Sequence, residues 1–201
     1  YLLLVGNLPE PNELTLFKDY MYAHRSLPKE IISGVIQGIP SQHIMNKLQI
    51  CISALYPFDK DPDTLDAFEN FLKSIQIIAK LPLILSYNYL CMTKKNPTFV
   101  EPKEDMTQAE AFLYTLNEGK EVDPFSAQII DMSLILHAEH GGGNNSTFTT
   151  YVVSSSGSDI YSTIAAAIAS LKGPLHGAAN RKIMRMMTHI KENVKNWDDD
   201  T

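Results

Sequence analysis

The sequence has little cysteine and no concentration of positive charge. Only two of its 201 residues are cysteine, Cys51 and Cys91, and both lie in apolar stretches without a CxxC pair. We expect them to be reduced core thiols of an intracellular protein, because neither a disulfide framework nor a metal-ligand spacing is present. No Lys/Arg cluster is longer than a pair, such as Lys94-Lys95, and the formal net charge is −6. A groove that binds nucleic acid by neutralising phosphates is therefore not expected.

Long hydrophobic runs are also missing from the amino-terminal region. The apolar residues 1–5 form too short a run to span a membrane, and they lack the basic flank and cleavage site of a signal peptide. We therefore expect no membrane partner. The overall composition, 44% hydrophobic and 20% charged, is typical of a packed globular domain. The chain begins with Tyr1 inside an apolar run, and we expect it to be an internal segment of a longer protein.

Apolar residues recur every three or four positions along most of the chain, which predicts a mainly helical protein. Asn12, Ser41, Thr107 and Asp123 are candidate helix starts, and Thr107 has the spacing of a capping box with Glu110. Further helices are predicted from Pro28 to Gly38, from Asp63 to Leu90, over 160–171 and over 178–194. A proline cannot donate to the carbonyl four residues earlier, so Pro82 predicts a break near residue 81. The β-branched residues 147–153 leave a strand open as an alternative.

Residues 141–177 are almost uncharged, with only Asp159 and Lys172, yet they hold six of the ten glycines. Three of the six histidines, His137, His140 and His176, flank or end this stretch. Glycine allows a close backbone approach to a ligand, and a neutral imidazole can donate a hydrogen bond to a carbonyl or enolate. These histidines are therefore the candidate chemical groups.

Simpler interpretations of these residues stay open at this point. A histidine at a helix end commonly caps the helix or packs in the core. His137, His140 and Glu139 lack the spacing of a zinc protease and a third ligand, so no metal site is predicted. The three glycines after His140 lack the lysine of a phosphate loop. The methionines at 184, 186 and 187 are expected to pack rather than to bind a ligand.

Two sequence motifs point to a particular protein family. Residues 134–147 (LILHAEHGGGNNST), followed by 158–162 (SDIYS), and residues 171–180 (LKGPLHGAAN) closely resemble the citrate synthase family. Residues 1–9 and 78–82 are similar to other segments of that family. The resemblance implies an all-α, multi-helical fold, with residues 1–172 as part of the large domain and 173–201 as the truncated start of the small domain. It also implies a homodimer.

The resemblance further implies an acyltransferase that converts the acyl group to alkyl on transfer, condensing acetyl-CoA with oxaloacetate to give citrate and CoA. His176 is similar to the catalytic histidine that stabilises the acetyl-CoA enolate. His140 and Asn144 are similar to the residues that bind oxaloacetate, and His137 is expected to lie behind them. Acetyl-CoA would be a co-substrate, with no permanently bound cofactor or metal. The expected location is cytoplasmic, with an organelle left open because the start of the chain is expected to be internal.

The family's third active-site histidine, catalytic aspartate and substrate arginines have no counterpart among these residues. We therefore expect the chain to be inactive alone. Two alternatives remain. One is a 2-methylcitrate synthase, which uses propionyl-CoA, because the matched motifs bind the shared oxaloacetate half. The other is a helical dimerisation scaffold without chemistry, since the charge-poor segment could bury a subunit interface.

Overall fold

The computed structural model describes residues 1–139, 141–177 and 179–194, and within these ranges it contains helices and no β-strand. The predicted all-α fold is confirmed. The elements in chain order are α1 (Leu2–Val5), α2 (Pro11–Ala23), a π-helix (Ile31–Gln37), α3 (Ile44–Ala54), a 3₁₀ turn (Tyr56–Phe58), α4 (Ala67–Thr93), α5 (Gln108–Leu116), α6 (Pro124–His137), α7 (Asn145–Ser154), α8 (Ile160–Leu171) and α9 (Ala179–Asn193).

The main core lies between α3, α4, α8 and the π-helix. It is built from side chains that are almost fully buried, including Ile36, Ile52, Leu83, Ile84 and Tyr87. Helix α4 is long and apolar enough to suit a membrane span by length and composition, but 56% of its most apolar window is buried inside the protein. Its hydrophobicity is accounted for by its central place in the core.

Two predicted helix starts are confirmed and two are displaced. The side chains of Thr107 and Asp123 accept hydrogen bonds from the first turns of α5 and α6, and Thr107 forms the predicted capping box. Helix α2 begins before the predicted Asn12, because Glu10 and Glu13 form a capping box around Pro11. Helix α3 begins after His43 rather than at Ser41, whose hydroxyl instead accepts from the amide of His43.

The predicted break near residue 81 is wrong, because α4 continues through Pro82. The carbonyl of Ile78 lies four residues before Pro82 and receives no hydrogen bond from it. Instead, Nε2 of Gln108 donates to this carbonyl at 2.7 Å, and Oε1 of Gln108 accepts from Nη2 of buried Arg25 at 3.0 Å. A side chain from α5 thus replaces the missing backbone donor, which lets the helix continue.

The strand alternative for residues 147–153 is also wrong, since they form α7. The side chain of Asn144 caps this helix, and the hydroxyls of Thr149 and Thr150 donate to carbonyls four residues earlier at 2.8 and 2.9 Å. The β-branched residues are therefore accommodated in a helix, which packs along the alanine-rich α8. The predicted helix over 160–171 is confirmed.

The carboxyl-terminal part of the chain follows a turn at 173–177. Helix α9 confirms the predicted helix within the described residues. The side chains of Met184, Met186 and Met187 are half exposed or more, so the packing expected of them is not made within the described part of this chain. The domain boundary after residue 172 stays a prediction, and the acidic residues 198–200 lie outside the described residues.

Both cysteines are free thiols. Cys51 is fully buried in the main core and Cys91 is half-buried. Burial raises the pKa of the Cys51 thiol, which keeps it protonated and unreactive.

Candidate functional site

The two sequence motifs meet where the start of α7 lies beside the turn after α8. Nε2 of His176 lies 2.8 Å from Oγ of Ser146, although the two residues are thirty positions apart in sequence. His176 is half-buried, and its turn is closed by hydrogen bonds from the amides of His176 and Gly177 to the carbonyl of Gly173, each 3.1 Å. The histidine is thus held on a short turn by a side chain from another helix.

The Ser146 hydroxyl decides which nitrogen of His176 can act on a ligand. A serine hydroxyl has one hydrogen to donate and two lone pairs that accept. Its oxygen is 2.8 Å from Nε2 of His176 and 3.0 Å from the carbonyl of Ala167 in α8. If the hydrogen is donated to Nε2, a neutral imidazole carries its own hydrogen on Nδ1. If it is donated to Ala167, Nε2 carries the hydrogen and Nδ1 can only accept.

Further contacts fix the helices that carry this pair. Oγ of Ser170 donates to Oδ1 of Asn145 at 2.7 Å, which ties the end of α8 to the start of α7. Nζ of Lys172 donates to the side-chain oxygens of Asn46 and Gln49 at 2.8 and 2.9 Å, which ties the same end of α8 to α3. The turn bearing His176 therefore begins from a point anchored on two sides.

Asn144, the predicted oxaloacetate ligand, caps α7 in the structure. Its Oδ1 accepts from the amide of Thr147 at 2.9 Å, and its Nδ2 donates to Oγ1 of Thr147 at 2.8 Å. One hydrogen of Nδ2 is left for a weaker contact, 3.4 Å from the carbonyl of Gly141. Its predicted role in binding remains a prediction, and the structure adds a capping role beside it.

The other two predicted histidines are not joined to His176 by a described contact. His140 lies outside the described residues, so its predicted role is unchanged. His137 is the last residue of α6, and its exposed ring donates from Nδ1 to the carbonyl of Ser133 at 2.7 Å. Nδ1 is therefore satisfied by the ring's own helix, and a place for His137 behind the ligand remains a prediction. Gly141 adopts a left-handed backbone with φ of 90°, which supports the predicted need for glycine there.

Sequence reasoning missed Ser146 as a functional residue. It stands inside the matched motif at 134–147, but no local pattern indicates which side chain faces His176. The pairing arises only because α7 and α8 pack against each other. Among the described residues, no group of three or more His, Cys, Asp or Glu side chains is placed to hold a metal ion.

Comparison with known proteins gives a consistent result. A family profile described as citrate synthase, C-terminal domain, matches residues 1–201. Citrate synthase 2 of Bacillus subtilis is 41% identical over 194 residues, which are 96% of this chain and 51% of that protein. A citrate/2-methylcitrate synthase of the same organism is 33% identical and has 50% of its length covered.

A solved structure of a citrate synthase also matches this chain. The crystal structure of citrate synthase from Pyrobaculum aerophilum matches with a TM-score of 0.85 and 36% identity, over 94% of this chain and 48% of that chain. This chain spans about half the length of the curated relatives it matches. The chain belongs to the citrate synthase family.

Proposed function

We propose that this chain takes part in the condensation of acetyl-CoA with oxaloacetate, giving citrate and CoA. The observation that carries the proposal is the pairing of His176 with Ser146 in the motif region of a citrate synthase family chain. Acetyl-CoA acts as a co-substrate, and no cofactor or metal is bound permanently. Because the relatives are about twice as long, we further propose that these 201 residues do not turn over substrate alone.

The proposed role of His176 requires one of the two hydrogen-bonding arrangements described above. In that arrangement Ser146 donates to Nε2 instead of to the carbonyl of Ala167, which leaves Nδ1 as a hydrogen donor toward the thioester carbonyl. As the methyl group of acetyl-CoA loses a proton, negative charge develops on this carbonyl oxygen. One positioned donor to such an oxygen lowers the barrier by about 3 to 4 kcal/mol. A neutral imidazole supplies this donor without introducing a full positive charge.

Oxaloacetate is the proposed partner of the segment before α7. His140 and Asn144 would contact it, with His137 supporting them from behind. Helix α7 begins at Asn145, and the amides of a helix's first turn carry partial positive charge, which favours an anionic carboxylate nearby. This charge matters because the segment itself contains few basic side chains.

The test is the release of free thiol from acetyl-CoA in the presence of oxaloacetate, measured with the full-length gene product. His176→Ala is expected to lower kcat by about 10² to 10³ through loss of the enolate donor. His43→Ala is the matched control, because His43 is an exposed histidine before α3, and it should retain activity. Equal activity of the two variants would contradict the proposal.

A second candidate function is 2-methylcitrate synthesis from propionyl-CoA. It is favoured by similarity to the citrate/2-methylcitrate synthase of Bacillus subtilis and to 2-methylcitrate synthase 1 of Corynebacterium glutamicum, which is 36% identical over 206 residues. Competition between acetyl-CoA and propionyl-CoA in the same reaction distinguishes the two. A ratio of kcat/KM values that favours propionyl-CoA would assign the second function.

We also propose that the protein is a homodimer, formed through α6 and α7. Large apolar side chains on these helices are exposed in the single chain: Phe125, Ile129, Met132, Leu134, Ile135 and Leu136 on α6, and Phe148, Tyr151 and Val152 on α7. A patch of this kind is typical of a protein interface. Met132→Lys should lower the mass measured by sedimentation, whereas Gln42→Lys, at an exposed glutamine outside both helices, should not.

The dimer also provides the test of the scaffold alternative. If the chain serves only to dimerise, His176→Ala would leave thiol release intact, while Met132→Lys would still disrupt assembly. The proposed location is the cytoplasm, which fractionation of cells would test by the compartment in which the protein is recovered.

A further inference from the structure

One cavity lies away from the two motifs. It has a volume of about 680 Å³ and is lined by side chains from the loop after α2, the segment 55–61, α4 and the start of α8. Tyr161 lines it from the first turn of α8, whereas His176 follows the last turn of that helix. At 1.5 Å per residue, the 12 residues of α8 separate the two regions by roughly 18 Å. The cavity is therefore separate from the proposed condensation site.

Two lysines of α4 face this cavity with different surroundings. Lys73 is buried and forms an ion pair with Asp59, Nζ to Oδ2 at 2.9 Å. Asp59 also accepts a hydrogen bond from the hydroxyl of Tyr161 at 2.8 Å. Lys73 therefore has its charge compensated by a carboxylate that is itself held in place.

Lys80 lies seven residues later, on the same side of α4, and has no such compensation. Its Nζ donates to the backbone carbonyl of His24, and within residues 1–139, 141–177 and 179–194 no carboxylate lies within ion-pair distance of it. The cavity wall beside it includes the apolar side chains of Leu27 and Ile77. Burial without a counter-charge favours the neutral amine, and it lowers the pKa of Lys80 to about 8.

From the cavity, the absent carboxylate and the contact with a carbonyl, we propose that Lys80 is a site of acylation by small thioesters that enter this cavity. The amine lone pair attacks the thioester carbonyl carbon, and a new C–N bond forms. The C–S bond then breaks, the sulfur leaves as a thiolate with the electron pair, and the amine nitrogen loses a proton to water. The product is an amide, whose remaining N–H can keep the hydrogen bond to the carbonyl of His24.

The other charged and titratable groups that line the cavity do not compensate the charge of Lys80. They are His24 after α2, Asp59, Lys60 and Asp61 before α4, Glu69 and Lys73 within α4, and Tyr161 in α8. Asp59 is already paired with Lys73, whereas Asp61, Glu69 and Lys60 are exposed and screened by water. None of these carboxylates forms an ion pair with Lys80.

The expected rate advantage follows from the fraction of neutral amine. At pH 7.5 an amine with pKa of about 8 is about 24% neutral, whereas an ordinary lysine is about 0.1% neutral. With the Brønsted sensitivity of thiol nucleophiles, the weaker basicity reduces the reactivity of each neutral amine by roughly 10- to 20-fold. Lys80 should therefore be acylated on the order of tenfold faster than an exposed lysine.

The test exposes the folded full-length protein to the acetyl thioester of N-acetylcysteamine and follows each lysine by peptide mass spectrometry. At pH 7.5 we expect Lys80 to react about tenfold faster than exposed Lys18, and ion-paired Lys73 to react slowest. Lys80→Arg should remove the fast phase of total acetylation, whereas Lys18→Arg should leave it. Unfolding in urea should equalise the three lysines.

Three results would overturn the proposal. They are a Lys80 rate no higher than that of Lys18, a rate for Lys73 equal to that of Lys80, and a Lys80 rate that keeps rising to pH 10 as that of an exposed lysine does. The measurement does not involve condensation, so its outcome is independent of whether His176 is catalytic.

Discussion

Replacing Gln108 with leucine tests how α4 continues through Pro82. Gln108 connects the carbonyl of Ile78 with Nη2 of the Arg25 guanidinium. Arg25 is only 3% exposed and has one other described hydrogen bond, from Nη1 to the carbonyl of Met106 at 2.9 Å. Gln108→Leu therefore removes a hydrogen bond from a buried charge.

The expected loss can be estimated from these two contacts. A hydrogen bond to a charged group contributes about 1.5 to 3 kcal/mol. The carbonyl of Ile78 is near the surface, where water can replace the lost donor, so its contribution is smaller. We expect Gln108→Leu to lower the free energy of unfolding by about 2 kcal/mol, which is about 4 to 8 °C in Tm for a chain of this size.

A double-mutant cycle identifies the carbonyl of Ile78 as part of the cause. Pro82→Ala restores a backbone N–H that can donate to this carbonyl, so Gln108→Leu should cost about 1 kcal/mol less in the Pro82→Ala background. Urea denaturation followed by circular dichroism measures all four variants. Gln42→Leu is the control, since Gln42 is exposed and its amide makes no hydrogen bond among the described residues. Additive effects in the cycle, or a Gln108→Leu loss below about 0.5 kcal/mol, would refute this reasoning.

Two further predictions concern the condensation site and acid stability. Ser146→Ala should lower kcat by about tenfold while leaving the KM for oxaloacetate unchanged, because Ser146 positions His176 without touching substrate, and Ser146→Thr should restore most of the rate. Burial alone would raise the pKa of Asp59, but hydrogen bonds and the charge of Lys73 outweigh it, so the pKa is lowered. The stability that this carboxylate contributes is therefore present above its unfolded pKa of about 3.9 and is lost as the pH falls through the folded value. Asp59→Asn should cost about 3 kcal/mol at pH 7, because Lys73 stays buried without its partner, and should flatten the acid titration of unfolding.

The outcomes that would contradict these two predictions are distinct. A raised KM for oxaloacetate with unchanged kcat in Ser146→Ala would indicate a binding role. An equally steep loss of stability below pH 4 in the wild type and in Asp59→Asn would show that other carboxylates govern acid unfolding. Chemical denaturation at each pH, followed by circular dichroism, measures the second case.

Local spacing predicted two helix starts correctly and misplaced two others, at Asn12 and Ser41. The caps at Thr107 and Asp123 involve partners three residues away, so their spacing was sufficient. The continuity of α4 depends on Gln108, thirty residues beyond Ile78, and no local pattern reveals that contact. Helix α7 was ambiguous because threonine and valine suit strands, whereas packing against α8 favours the helix.

In the candidate site, too, local motifs could be predicted from the sequence, whereas contacts between distant residues could not. His176 stands out because its motif is distinctive, and the resemblance to a family was visible in the letters alone. Ser146 could not be selected, because its contact with His176 requires α7 and α8 to pack side by side. The local hydrogen bond of His137 to Ser133 was compatible with the simpler interpretation of a helix-end histidine. The sequence therefore identified the two motifs, whereas only the packed structure shows that His176 of one motif contacts Ser146 of the other.

The most direct test of the central claim is the tautomer of His176, read by ¹⁵N NMR of the full-length protein labelled at histidine, with His176→Gln used to assign the signal. We predict that the neutral ring carries its hydrogen on Nδ1, because the proposed role requires Ser146 to donate to Nε2. A neutral ring with its hydrogen on Nε2 would contradict the claim, since His176 could then offer no donor to the thioester oxygen from its free nitrogen.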